Sequence, residues 1–325
     1  MLRQVFPLAV LPAKIHRRIM ADLFKRDSII RKIYGIPMIL PLRTKGIGTA
    51  LAIYGERELD QREILNRILE PGATVLDIGA NIGYYALMEF ARVGQSGRIY
   101  AYEPDQRNLD MLHRNVALNN AQSVIEVIPE AVSDSDGMAM FHLAGKANLN
   151  ALDLSRDHQS EVLTKRYAKP RSYVGQLEVR KRDVSDILAT CERPVNLIRM
   201  DLEGHEVAIL RSILRGLDSG QLRDRAPQHV LFEPHSWEYS GAPNSLERVL
   251  TELARHGYEV AALGTRDEKS SPIAPLGYRA QACLPEKRGM IRGIYWNLRQ
   301  EDAVRLAACV DGVTTVLVSR RRAVA

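Results

Sequence analysis

The chain is expected to fold as an α/β protein: a Rossmann-like, mostly parallel sheet of seven strands behind a helical N-terminal extension. Two observations predict this. From Thr74 onward, short apolar runs alternate with helix-length amphipathic segments, the pattern of a parallel sheet with crossover helices. The first run, "VLDIGANIGYY" (Val75–Tyr85), passes straight into two glycines four positions apart, which marks a tight strand-to-helix turn. A third observation sets the scale: 325 residues, 46% hydrophobic and 26% charged, give an ordinary globular composition with ample core.

In chain order the strands are read at "TVLDIG", "RIYAYEP", "VIEVIPE", "VNLIRMD", "HVLFEP", "YEVAAL" and "VTTVLVS". Between the first three lie "YYALMEFARVG" and "DQRNLDMLHRNVALNN", and "GHEVAILRSILRGL" follows the fourth, each with apolar residues at helical spacing. Residues 138–182 and 265–289 are polar and carry Pro and Gly, so they are expected to be insertions or loops over the sheet's edge.

Charge is uneven. Residues 1–46 hold ten Lys/Arg against two Asp/Glu, whereas the whole chain is only +6. Residues 1–58 are therefore read as a basic helical extension or cap, and 59–325 as the main domain. The arm could contact an anionic membrane surface, which would place the protein in the cytoplasm with peripheral contact at the membrane's inner face. Cys191, Cys283 and Cys309 form no CxxC pair, which fits neither a zinc ribbon nor a disulfide framework and suits a reducing compartment. The apolar run "VFPLAVLPA" is short and broken by Pro7 and Pro12, so no secretory signal is expected, and no run reaches membrane-spanning length. Oligomeric state leaves no mark on the sequence.

The glycine turn carries the chemistry. Asp77 and Gly79 close the first strand, and the chain turns through Asn81 and Gly83 into a helix, which would set a nucleotide at the strand's carboxyl end. Asn81 occupies the place of the middle glycine of GxGxxG, the glycine that lets the backbone approach a pyrophosphate. A phosphate-free cofactor suits this loop better, and S-adenosyl-L-methionine (SAM) is such a molecule. Glu103, 24 positions after Gly79, ends the second strand where a carboxylate meets ribose hydroxyls. Glu130, at the third strand's end, is placed to reach the adenine edge, with Asp134 as a competitor.

Taken together, "VLDIGANIGYY", "YAYEPDQRNLDMLHRNVALNN", "PEAVSD" and "LIRMDLEGHEVAIL" resemble the FkbM-type family of SAM-dependent class I methyltransferases, from about Ala50 to Glu233. The "DLEGHE" block and the paired Asn115 and Asn119 are the distinctive pieces. The resemblance implies a seven-stranded sheet whose last strand is antiparallel, and methyl transfer, most often to a hydroxyl oxygen. It implies that Asp77, Gly79, Asn81 and Gly83 line the methionine side of SAM, Glu103 the ribose, and Glu130 with Ala131 the adenine. Where relatives often show Leu-Asp-Asp this chain reads "KRDVSDIL", and neither the arm nor the region after Gly264 follows a family pattern.

Methylating a hydroxyl requires a base near the methyl group. Asp201 ends the fourth strand with Glu203, His205 and Glu206 in the next turn, so His205 or Asp201 is the candidate proton acceptor and Glu203 the orienting group, with Asp201 also against the cofactor. The same acids with Glu233 and His235 could ligate a divalent ion, but no compact motif such as HExxH is present and no metal is expected. The expected acceptor is a small molecule, sugar or glycolipid. A basic, aromatic-interleaved surface and an Asn-Pro-Pro-Tyr motif are both missing, which disfavours nucleic acid. The alternatives are a non-catalytic SAM-binding partner or sensor and, further off, an NAD-dependent oxidoreductase, against which Asn81 and the lack of a Tyr-x-x-x-Lys pair both speak.

Overall fold

The computed structural model describes residues 15, 27–43, 46–144, 151–152, 173–235 and 245–321. At its centre five strands run parallel: β3 (Thr74–Ile78), β4 (Arg98–Tyr102), β5 (Ile125–Ile128), β10 (Leu197–Met200) and β11 (His229–Phe232). β3 and β10 are buried at every position, as expected of strands covered on both faces. β15 (Val313–Arg320) lies antiparallel between β11 and β12 (Tyr258–Thr265). The full order is β13-β14-β12-β15-β11-β10-β3-β4-β5, with β13 (Ala282–Pro285) and β14 (Ile291–Trp296) at one edge.

The sheet thus has nine strands where seven were expected. The two extra strands form a hairpin in and after the stretch read as loop, and β13 is an edge strand with half-exposed side chains, so it lacks the apolar run that marks a buried strand. Residues 138–182 hold a second correction. β6 (Ala131–Ser133), β7 (Gly137–Ala144), β8 (Ala151–Leu152) and β9 (Tyr173–Asp183) make a separate small sheet. In β9 a buried Val179 alternates with the charged Glu178 and Arg180, and period-two alternation in so polar a string reads as loop.

The extension also differs from its reading. Residues 28–41, expected to be helical, form a hairpin of β1 (Ser28–Ile33) and β2 (Ile36–Pro41) through the two-residue turn Tyr34-Gly35, both at positive φ. Helix α1 (Ile47–Tyr54) follows. Residues 1–14 and 16–26, most of the basic arm, lie outside the described residues. Among the described residues no helix is long and apolar enough to cross a membrane.

Helices α2 (Leu59–Ile68), α3 (Tyr84–Val93) and α4 (Gln106–Leu118) cover one face, sharing a core with α1 and β2 through Leu51, Leu65, Leu87, Val116 and Leu40. Helices α5 (Val184–Thr190), α6 (Glu206–Asp218), α7 (Leu246–Arg255) and α8 (Gln300–Cys309) cover the other. The paired asparagines staple these parts together. Asn115 accepts from the Ile39 N–H at 2.7 Å and donates to the Ile82 carbonyl at 2.8 Å, and Asn119 donates to the Pro37 carbonyl at 2.8 Å. The hairpin is thereby tied to α4 and to the glycine turn. Since β3 leads to β4 on one side while β10 lies on the other, a crevice opens at the carboxyl ends of β3 and β10.

Candidate active site

The turn after β3 is shaped by contacts within the protein. Gly79 has φ +79, and a Cβ there would lie 2.7 Å from the Asp201 carbonyl oxygen, so only glycine lets the tips of β3 and β10 meet. Gly79 and Ala80 both donate to the Tyr102 carbonyl, at 2.9 and 3.0 Å. Asn81, left-handed at φ 51, donates its N–H to Glu103 at 2.9 Å and accepts the Ile82 N–H on its own side chain at 2.9 Å. Gly83 donates to Ala80, and a Cβ on it would press Leu112 at 2.7 Å, so it serves the packing of α3 on α4. Gly79 and Asn81 line the cleft; Asp77 and Gly83 do not. Asp77 is fully buried, 3.6 Å from the guanidinium of Arg199, and burial pushes its carboxyl up to about 6 against the pull of that arginine.

The cleft encloses about 860 Å³ including its open mouth, and its two ends differ. At one end stands Glu103, buried, accepting from the backbone N–H groups of Asn81 and Asp105 at 2.9 and 2.8 Å. Burial pushes it up to about 7 even so. Around it Tyr102, Pro104, Ala131, Val132, Phe141 and Leu152 form an apolar slot. Glu130 also lines it, drawn toward Arg180 and Arg182 of β9 at 3.4 and 3.8 Å. Phe141 and Leu152 were not foreseen: they come from the small sheet, across a stretch read as loop.

Charge crowds the other end. The fully buried Arg199 stacks 3.7 Å from the centre of the Tyr85 ring and reaches Asp201 at 3.5 Å as well as Asp77. Asp201, Glu203 and His205 all line the cleft. His205 lies just before α6, its Nε2 2.9 Å from Ser133 Oγ, and burial holds its imidazole below the ordinary value. Ser133 Oγ also lies 3.3 Å from Asp134 Oδ1, so the hydroxyl links His205 to that carboxylate. Glu203, expected to orient His205, instead has its carboxylate 3.7 Å from His235 Nε2.

Glu206 is buried and accepts from the N–H groups of Leu202 and Gly204 at 2.8 and 3.1 Å and from His235 Nδ1 at 2.9 Å. Burial alone would lower the His235 imidazole, but Glu206, with Glu203 and Glu233, holds it well above its usual value. Burial, reinforced by Asp201 and Glu58, pushes Glu233 up to about 8. Asp201, Glu203 and His235 bring one ligand atom each within 4.8 Å of one another, a set that could take a divalent ion, but an ion there would have to displace the proton held on His235.

Two further cleft residues escaped sequence reasoning. Arg57 and Glu58 lie between α1 and α2 and pair with each other, and the first two residues of α3 hold them: Tyr84 donates to the Arg57 carbonyl at 2.6 Å and Tyr85 to the Glu58 carboxylate. No local pattern could have revealed this, since the contacts span 27 positions.

A model of the methyltransferase FkbM domain matches residues 77–260. The chain belongs to the FkbM methyltransferase family. The match runs from the end of β3 into β12, so it covers the strand tips and leaves the β1–β2 hairpin, Arg57, Glu58 and β13–β15 outside. Methyltransferase sdnD of Sordaria araneosa is 27% identical over 193 residues, covering 54% of this methyltransferase and 71% of that protein. The 31-O-demethyl-FK506 methyltransferase FkbM of Streptomyces tacrolimicus is 28% identical over 235 residues, 66% of this chain and 84% of that one. Among solved structures, methyltransferase FkbM of Methylobacillus flagellatus KT aligns with a TM-score of 0.37 at 16% identity, over 76% of this chain and 52% of that one.

Proposed function

We propose that this FkbM-family methyltransferase moves a methyl group from SAM to a hydroxyl of a small molecule, sugar or glycolipid. The observation that carries the choice of cofactor is the hydrogen bonding of the glycine turn. The N–H groups of Gly79, Ala80, Asn81, Ile82 and Gly83 are all spent inside the protein, none is left to cradle a pyrophosphate, and the turn instead presents the Glu103 carboxylate to the cleft. A carboxylate beside an apolar slot fits a ribose diol carrying a flat base, and the donor set fits SAM better than a dinucleotide. The Streptomyces relative, by its name, acts on an O-demethyl compound, which supports oxygen as the acceptor atom.

Bound SAM supplies a methyl group already activated on a sulfonium. His205, neutral because burial lowers its pKa, receives the hydroxyl proton as the oxygen attacks, and the negative charge of Asp134 and Glu206 favours the imidazolium that forms. Asp201 is the weaker proton acceptor because Arg199 already pairs with it.

An acceptor screen with methyl-labelled SAM tests the reading. Release of S-adenosylhomocysteine with label on an alcohol oxygen is expected, whereas tight SAM binding with no turnover on any hydroxyl acceptor would leave a sensor. Turnover is expected to survive exhaustive chelation; a loss restored by Mg²⁺ would put an ion at Asp201, Glu203 and His235.

A further inference from the structure

We propose that Arg57 and Glu58 form an amino-acid clamp at the polar end of the cleft, Glu58 receiving an α-ammonium and Arg57 an α-carboxylate. The inference rests on the SAM reading and names the subsite for the methionine part of that molecule, for which the family resemblance implies Asp77, Gly79, Asn81 and Gly83. Asp77 cannot serve: it has no exposed surface and lies outside the cleft wall. Glu58 and Arg57 do line the wall, where Tyr84 and Tyr85 hold them. A zwitterion needs one anion and one cation a few ångströms apart, and this adjacent pair supplies both.

The hydrogen bonds show which atoms can act. Arg57 spends Nε on Glu58, and among the described residues neither of its Nη atoms donates to any acceptor, leaving a fork for a carboxylate. Arg199 is a poorer choice, being already shared between Asp77 and Asp201. Each Glu58 oxygen has one partner, Arg57 or Tyr85, and so keeps acceptor capacity. The clamp is also braced from afar. Glu58, held left-handed at φ 50, donates its N–H to Glu286 at 3.1 Å, and the buried Arg292 grips the same Glu286 oxygen at 3.1 Å and Asp60 at 3.7 Å. The β13–β14 hairpin thus holds a cleft residue in place, with Glu286 just past β13 and Arg292 within β14.

Truncating the ligand separates this role from general structural support. 5′-Methylthioadenosine keeps the nucleoside and the thioether of S-adenosylhomocysteine but lacks the amino acid. By titration calorimetry, Glu58→Gln and Arg57→Gln should each weaken S-adenosylhomocysteine about 10-fold to 100-fold, as expected for one lost charge-assisted contact, and leave methylthioadenosine within about 2-fold. Methylthioadenosine binding doubles as the folding control. Arg57→Gln is the safer variant, since the Arg57 side chain is 23% exposed against 7% for Glu58. Equal weakening of both ligands, or of neither, overturns the clamp while leaving the cofactor reading intact. A wild-type protein that binds neither ligand overturns the cofactor reading and the clamp with it.

Discussion

The two ends of the cleft solve opposite problems. The end at Glu103 is apolar apart from Glu103 itself, which two backbone amides fix in place, and Glu130, which two arginines draw aside. The far end packs Arg57, Glu58, Arg199, Asp201, Glu203, Glu206, Glu233 and His235 into one charged network. The first end can recognise by shape and one diol contact. The second must stay polarised, because that is where a positive donor and a departing proton would be handled, and buried like charges are costly unless something opposes them. The contrast teaches that nucleoside recognition and charge handling fall to different side chains, so each can be probed by its own substitutions.

The largest effect should come from the charged end. Replacing His205 by Ala is expected to lower kcat about 10²-fold to 10⁴-fold, the usual contribution of a positioned base, and to leave S-adenosylhomocysteine affinity nearly unchanged. A parallel fall in affinity would show that His205 supports the cleft rather than the proton transfer.

Next comes the nucleoside end. Glu103→Gln should weaken S-adenosylhomocysteine and methylthioadenosine alike, by about 10-fold to 100-fold, because both carry the ribose that a charged acceptor would grip. The wild type adds a pH signature. With the Glu103 carboxyl near 7, the group ionises as pH rises from 6 to 8, so nucleoside affinity should strengthen over that window and the variant should lose the trend. Wild-type affinity that stays flat over the same range would remove Glu103 from the diol contact.

Legibility in the sequence divides along the same line. Gly79, Asn81 and Glu103 act through the turn that contains them and the next strand's tip, so spacing exposes them. The parallel core reads well for a similar reason, since strands such as β3 and β10 are continuous apolar runs. Arg57 and Glu58 reach the cleft because Tyr84 and Tyr85 pull them there, and Phe141 and Leu152 arrive through a sheet whose strands are too polar to stand out. Asp77 misled for a physical reason: its motif position is that of a ligand contact, yet the chain spends its carboxylate on Arg199 beneath the cleft.

The smallest effect concerns the cost of crowding acids at the charged end. Burial and the nearby Asp201 and Glu58 raise Glu233 to about 8, far above an ordinary carboxyl, so the ligand-free folded state holds a proton there that the unfolded chain releases near 4.5. A group raised in this way contributes its stability fully below 4.5 and loses it as pH climbs to 8. Asp77 and Glu103, raised to about 6 and 7, act in the same direction, whereas His205, lowered by burial, acts in the opposite one. Glu233→Gln isolates the one contribution, because an amide never ionises. The variant's Tm should gain on that of the wild type as pH rises from 5 to 8, because only the wild type loses this contribution over that window. Thermal unfolding of the ligand-free protein at the two pH values measures this, and identical slopes for wild type and variant would mean that the charged end accommodates Glu233 as an ordinary anion.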